Sequence, residues 1–81
     1  MKSVHLDDVR QCIVSCLDMD ASQVTERTHF AKDLNADSLD ALSLIECMNQ
    51  RFNTEVSPER VQQVETVQDM IDLMNAALSS R

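Results

Sequence analysis

The chain has 81 residues, with 14 acidic against 7 basic side chains and a formal net charge of −7. So short a chain makes one small domain with a thin core, taken as residues 1–81. Its cations, Lys2, Arg10, Arg27, Lys32, Arg51, Arg60 and Arg81, are scattered, so no basic stripe exists to hold nucleic acid or anionic membrane.

Glycine is absent, proline occurs once, and there is neither Trp nor Tyr. That composition excludes a sheet-rich fold with tight hairpins and points to an all-α bundle. No apolar run reaches the length of a membrane span, and residues 1–8 lack the apolar core of a signal peptide. The expectation is a soluble, cytoplasmic monomer that meets basic partners by electrostatic steering.

The first helix is predicted over Val4–Leu17, because Leu6, Val9, Ile13, Cys16 and Leu17 share one face at helical spacing. Asp7 and Asp8 suit the positive end of its dipole. Cys16 falls in the apolar stripe and Cys12 at its edge. These two and Cys47 form no metal-type pattern and read as small hydrophobes in a reducing compartment. His5 and His29 have no partner cluster, so no metal site is expected. A long connection over Asp18–Ala36 follows. It is too long to be structureless, and Val24, Phe30 and Leu34 can pin it to the core. Asn35 is the best non-glycine residue for a left-handed backbone.

The second helix is predicted over Ser38–Phe52, with Asp37 as N-cap and Asp40 answering it from the third helical position. Ala41, Leu44, Ile45, Met48 and Phe52 form its core stripe. Leu39 and Leu42 lie off that stripe. Leu39 is read as an exposed contact residue; Leu42 is either a second contact or partly covered by the preceding loop. Ser57 and Pro58 start a short helix that ends near Val64. Thr66-Val67-Gln68-Asp69 forms a second capping box. It opens a last helix through Leu78, with Val67, Met70, Ile71 and Met74 on its apolar face. The sum is a four-helix bundle, three helices longer and one short, with a long loop between the first two.

The run Asp33-Leu34-Asn35-Ala36-Asp37-Ser38-Leu39-Asp40 carries the functional signal. It sets a serine in the first turn of a helix, where free backbone N–H groups and the helix dipole favour a phosphate. On these residues alone Asp37-Ser38 also reads as a plain helix cap. No His or Lys is placed to serve Ser38 as a base, so an enzyme with a serine nucleophile has no support.

The octapeptide resembles the attachment site of the acyl carrier proteins, Asp-x-Gly-x-Asp-Ser-Leu, with Asn35 in place of the glycine. The resemblance extends through Val24-Thr25, Thr28-His29-Phe30, Lys32-Asp33-Leu34, Phe52-Asn53-Thr54-Glu55-Val56 and Thr66-Val67-Gln68-Asp69-Met70-Ile71-Asp72. It implies a carrier rather than an enzyme. A phosphopantetheinyl transferase would move 4′-phosphopantetheine from coenzyme A onto Ser38, and the terminal thiol would hold acyl groups as thioesters. The resemblance makes Phe30, Ala31, Met48, Phe52, Val64, Met70 and Ile71 candidates for an acyl pocket; each could equally be plain core. It makes Asp37, Leu39, Asp40, Leu42 and Glu46 candidate contacts for acyl-chain synthesis or transfer enzymes with basic docking patches.

Two departures stand out beside Asn35. From Ser38 to Arg51 the second helix has only Asp40 and Glu46 against Arg51, with Ser43, Asn49 and Gln50 neutral where the family is often acidic. Glu46 stands where an exposed apolar residue is often found. The leading reading is a stand-alone carrier for fatty-acid or related lipid synthesis. The alternatives are a specialised carrier for a polyketide, modified-lipid or protein-acylation pathway, and a helical interaction module without a prosthetic group.

Overall fold

A computed structural model describes residues 3–79. The elements are α1 (Leu6–Leu17), α2 (Phe30–Asp33), α3 (Ser38–Phe52), a 3₁₀ helix (Pro58–Gln63) and α4 (Val67–Ser79). Among the described residues the bundle is all-α as expected, with the four predicted helices and one more segment. The added one, α2, is a single turn inside the long connection, and the predicted short helix is 3₁₀.

The helix ends follow from their caps. α1 starts at Leu6 instead of Val4, because the Asp8 carboxylate accepts the His5 N–H at 3.0 Å and fixes His5 as the extended N-cap. Val4 is buried instead through tertiary bonds. Its N–H donates to Asn75 Oδ1 at 2.8 Å, and Asn75 Nδ2 donates to its carbonyl at 3.2 Å. With no glycine in the chain, the three left-handed positions among the described residues are filled by Asp18, Asn35 and Asn53, at φ of 53°, 53° and 54°. Short polar side chains tolerate that conformation best after glycine. Asp18 and Asn53 end α1 and α3.

One core joins the helices: Val9, Cys12 and Ile13 from α1, Leu44, Ile45 and Met48 from α3, and Val67, Met70 and Met74 from α4. The 3₁₀ helix contributes no buried residue. The expected burial of the α1 cysteines is corrected. Cys12 is buried at 1 % exposure, while Cys16 is exposed. In helical phase Cys16 lies between Cys12 and the buried Val9, so its exposure goes with its place in the last turn of α1 and not with the phase of the stripe. Cys16 is joined to Cys47 of α3 in a disulfide, so these two are not the independent small hydrophobes that the sequence suggests.

The connection between α1 and α3 is docked rather than loose. Arg10 donates from Nε and Nη2 to the Val24 carbonyl at 2.9 and 2.6 Å. The first N–H groups of α4 lack helical partners. Those of Val67 and Gln68 donate to the carbonyls of Thr28 and Glu26, each at 2.9 Å. The Phe30 N–H donates to Glu65 O at 2.9 Å. These bonds hold Phe30, 3 % exposed, against the bundle.

Asn49 fastens the other end of α3. Its Oδ1 accepts from Thr54 Oγ1 at 2.8 Å and Val56 N at 3.0 Å, and its Nδ2 donates to Val56 O at 3.1 Å. It is therefore a structural residue, not a neutral position on a partner-facing surface. Asn49→Ala strands three partners, among them the buried Thr54, and should cost about 2–3 kcal/mol. Urea unfolding should show a lower midpoint at unchanged slope.

The predicted capping box at α4 is present. Thr66 Oγ1 accepts from Asp69 N at 3.2 Å, and Asp69 Oδ2 accepts from Glu65 N and Thr66 N, each at 3.0 Å. Those two backbone donors hold the Asp69 carboxyl below its ordinary pKa. A carboxyl depressed in the folded state stabilises above its unfolded pKa, about 3.9. That stability is lost as pH falls through the folded value. Asp69→Asn should therefore lag wild type in stability at pH 7, and the gap should narrow at about pH 3. Denaturation at the two pH values measures it.

Candidate functional site

Ser38 is the first residue of α3, and its surroundings are set by its neighbours. Asp37 adopts the extended N-cap conformation, and its Oδ1 accepts from Asp40 N at 2.9 Å. In return Asp40 Oδ2 accepts from Asp37 N at 3.3 Å. The reciprocal pair occupies the capping role that Ser38 could itself have filled. The Ser38 side chain is exposed and has no hydrogen-bond partner among the described residues. The N–H groups of the first helical turn still point outward beside it, where they favour an anionic substituent. Just upstream, left-handed Asn35 turns the chain from α2 into α3, and the Ala36 N–H closes that corner on Phe30 O at 2.9 Å.

Beside the serine lies a partly open cavity of about 200 Å³. Phe30 and Ala31 of α2, Ala36, Asp37, Ser38 and Ala41 around the start of α3, and Val61 and Val64 line it, with His29 and Glu65 at its polar margin. Three of the seven predicted pocket residues, Phe30, Ala31 and Val64, are in this lining. The other four are not. Met48 and Met70 are fully buried, and Phe52 and Ile71 are 7 % and 8 % exposed, all within the core. Reading along the sequence missed Ala36, Ala41 and Val61. The alanines carried a signal, since small side chains flanking Ser38 leave the space that the cavity occupies. Two further cavities, of about 290 and 260 Å³, lie along the 3₁₀ helix and α4 and share Leu73. Neither touches Ser38, and the smaller meets the serine's cavity only at Val64.

The outer face of α3 is mixed. Leu39 is 69 % exposed, as its place off the stripe implied. Leu42 and Asp40 are half-buried, while Asp37, Ser43, Glu46 and Gln50 are exposed. Arg51 does not add charge to this face. Its Nε lies 3.6 Å from Asp8 Oδ1, and Nη2 donates to Gln11 Oε1, so it is turned onto α1. No group of metal-ligating side chains occurs among the described residues, and no helix of the structure is long and apolar enough to cross a membrane.

Comparison with known proteins agrees with this geometry. Residues 7–74 match the family described as a phosphopantetheine attachment site. The chain is 48 % identical over 65 residues to an acyl carrier protein of Chlamydia caviae, covering 80 % of this chain and 84 % of that one. It is 37 % identical to an acyl carrier protein of Thermosynechococcus vestitus, covering 91 % of each. The fold matches a crystal structure of an acyl carrier protein from Thermotoga maritima, with a TM-score of 0.83 over 93 % of this chain and 87 % of that one, at 23 % identity. It matches equally an acyl carrier protein of the actinorhodin polyketide synthase of Streptomyces coelicolor, with a TM-score of 0.84 over 98 % of this chain and 95 % of that one, at 23 % identity. The chain belongs to the acyl carrier protein family: it is a carrier with a covalently bound 4′-phosphopantetheine, not an enzyme.

Proposed function

We propose that Ser38 is the attachment point, and that this single-domain carrier holds growing or finished acyl chains as thioesters for fatty-acid or related lipid synthesis. One observation carries the reading. The Ser38 hydroxyl is exposed and unpartnered at a helix start, beside a cavity with an apolar wall. A phosphopantetheinyl transferase activates the serine from outside, since no base is hydrogen-bonded to its hydroxyl among the described residues. Attack of the hydroxyl on the β-phosphorus of coenzyme A forms the phosphodiester. The 3′,5′-ADP portion leaves, and the hydroxyl proton passes to a base or solvent. The phosphodiester then sits where the free N–H groups of α3 favour negative charge.

The acyl chain enters the cavity under α2 and the 3₁₀ helix, along Phe30, Ala31, Ala41, Val61 and Val64. The 3₁₀ helix has no fully buried residue and only the half-buried Val61 against the core, so it is the wall that yields most easily as the cargo lengthens. Met48, Phe52, Met70 and Ile71 form the floor that a longer chain would press on. Leu39, with Asp37, Asp40, Leu42 and Glu46, docks the transferase and the acyl-chain enzymes, whose basic patches complement the net charge of −7. The setting is cytoplasmic.

A second reading, a dedicated pathway, is favoured by one feature. Ser43 and Gln50 are exposed and neutral on the helix that carries Ser38. Exposed ion pairs are individually weak, about 0.2–1 kcal/mol. Losing two of them would still slow encounter with a general-purpose enzyme.

One transfer assay, with coenzyme A and a transferase, tests both the attachment and the docking assignments. Ser38→Ala should take up no phosphopantetheine while keeping its melting temperature. Leu39→Ala should raise KM roughly tenfold at nearly unchanged kcat, the loss of about 1.4 kcal/mol of docking energy. Full loading of Ser38→Ala would sink the attachment assignment. A fall in melting temperature with KM unmoved would make Leu39 a packing residue.

A further inference from the structure

We infer that Cys16 and Cys47 are a thiol–disulfide exchange site, a redox clasp across the seam between α1 and α3. Cys16 lies in the last turns of α1 and is exposed; Cys47 lies in α3 and is half-buried. They are bonded across the seam, with Cα atoms 6.7 Å apart and a separation of 31 positions in sequence. The third cysteine cannot compete. Cys12 is buried at 1 % exposure, and burial pushes its thiol above the ordinary pKa, the nearby Arg51 only partly offsetting this.

Two observations make the bond exchangeable rather than structural. Cys16 is open to an attacking thiolate, and exposed disulfides are the labile class. The seam also does not depend on the bond. Val9 and Ile13 of α1 share a core with Leu44, Ile45 and Met48 of α3, and Arg51 ties α3 to Asp8 and Gln11. The reduced protein therefore keeps its fold, and the pair can cycle.

The oxidant is a small-molecule disulfide. The thiolate of one cysteine attacks it, forming a mixed disulfide and releasing one small thiol. The second cysteine then attacks the mixed disulfide, forming the protein bond and releasing the other thiol. The protein loses two electrons and the small disulfide gains them. A small thiol in excess reverses both steps. Closing a loop of this length restricts the unfolded chain, so the oxidised form is the more stable. The clasp is remote from the serine. Cys47 follows Ser38 by nine positions, about half a rotation away in helical phase, so it grips α3 from the side opposite Ser38. Oxidation should stiffen the bundle and leave the serine presented.

The test equilibrates the full chain in graded ratios of reduced and oxidised glutathione. Free thiols are then alkylated under denaturing conditions and counted on the three cysteines by peptide mapping, which keeps any prosthetic-group thiol out of the count. The expected result is one alkylated thiol at the oxidising end, Cys12, and three at the reducing end. The melting temperature should be roughly 10–20 °C higher in the oxidised form. Peptide mapping should find Cys16 joined to Cys47. Cys16→Ser, a change at an exposed position, should stay folded at the lower melting temperature and lose its redox response. Three free thiols at every ratio would overturn the inference. So would a bond that survives excess reduced glutathione, a bond to Cys12, or a redox response retained in Cys16→Ser. Ser38 enters none of these readouts, so the outcome is independent of the attachment assignment.

Discussion

The organisation of the site depends on two hydrogen bonds, those between Asp37 and Asp40. A serine at a helix start ordinarily spends its hydroxyl on capping the backbone. Here the carboxylate one position earlier does that work, and Asp40 returns the bond. Ser38 is thereby moved inside the helix, fixed in direction by α3 and left with a free hydroxyl. The same pair ends the preceding corner, so the alanines at 36 and 41 and the ring of Phe30 come to surround an open cavity instead of filling it.

A chain without glycine needs other means to turn, and these shape the rest of the fold. Asp and Asn occupy each left-handed position among the described residues. Between the first long helices the connection is held by backbone bonds to the start of α4 and by Arg10 on Val24. Among the described residues, Arg10 is thus held on the connection and on Asp7, and Arg51 on Asp8 and Gln11. Each pair also neutralises one acid, so the surface keeps the net charge of −7. That suits a protein that must be met in turn by enzymes with basic docking surfaces.

Most of the local structure was legible in the sequence because it is written in caps. Asp37, Ser57 and Thr66 each open the helix that their residue types announce, and Asn35 adopts the left-handed backbone expected of it. What was not legible depends on contacts between distant segments. The predicted first helix takes in Val4, but Asn75, 71 residues away, binds its N–H and it lies ahead of α1. The stripe of α1 does not say how far along the helix the core reaches, so Cys12 is buried and Cys16, in the last turn, is exposed. The pairing of Cys16 with Cys47 needs the antiparallel register of α1 on α3, which no local pattern encodes. The cavity was only half legible for a related reason. Met48 and Met70 are as apolar as any cargo wall, and only their depth in the packed core separates them from Phe30 and Val64.

The carrier role rests on the serine that Asp37 and Asp40 leave free. Its most direct measurement is the site of the prosthetic group in protein loaded from coenzyme A, found by fragmenting the intact chain in a mass spectrometer. The account predicts that the whole added mass resides on Ser38, with the other serines and the three cysteines unmodified. Added mass on any other residue, or a fully folded chain that a competent transferase leaves unloaded, would contradict it.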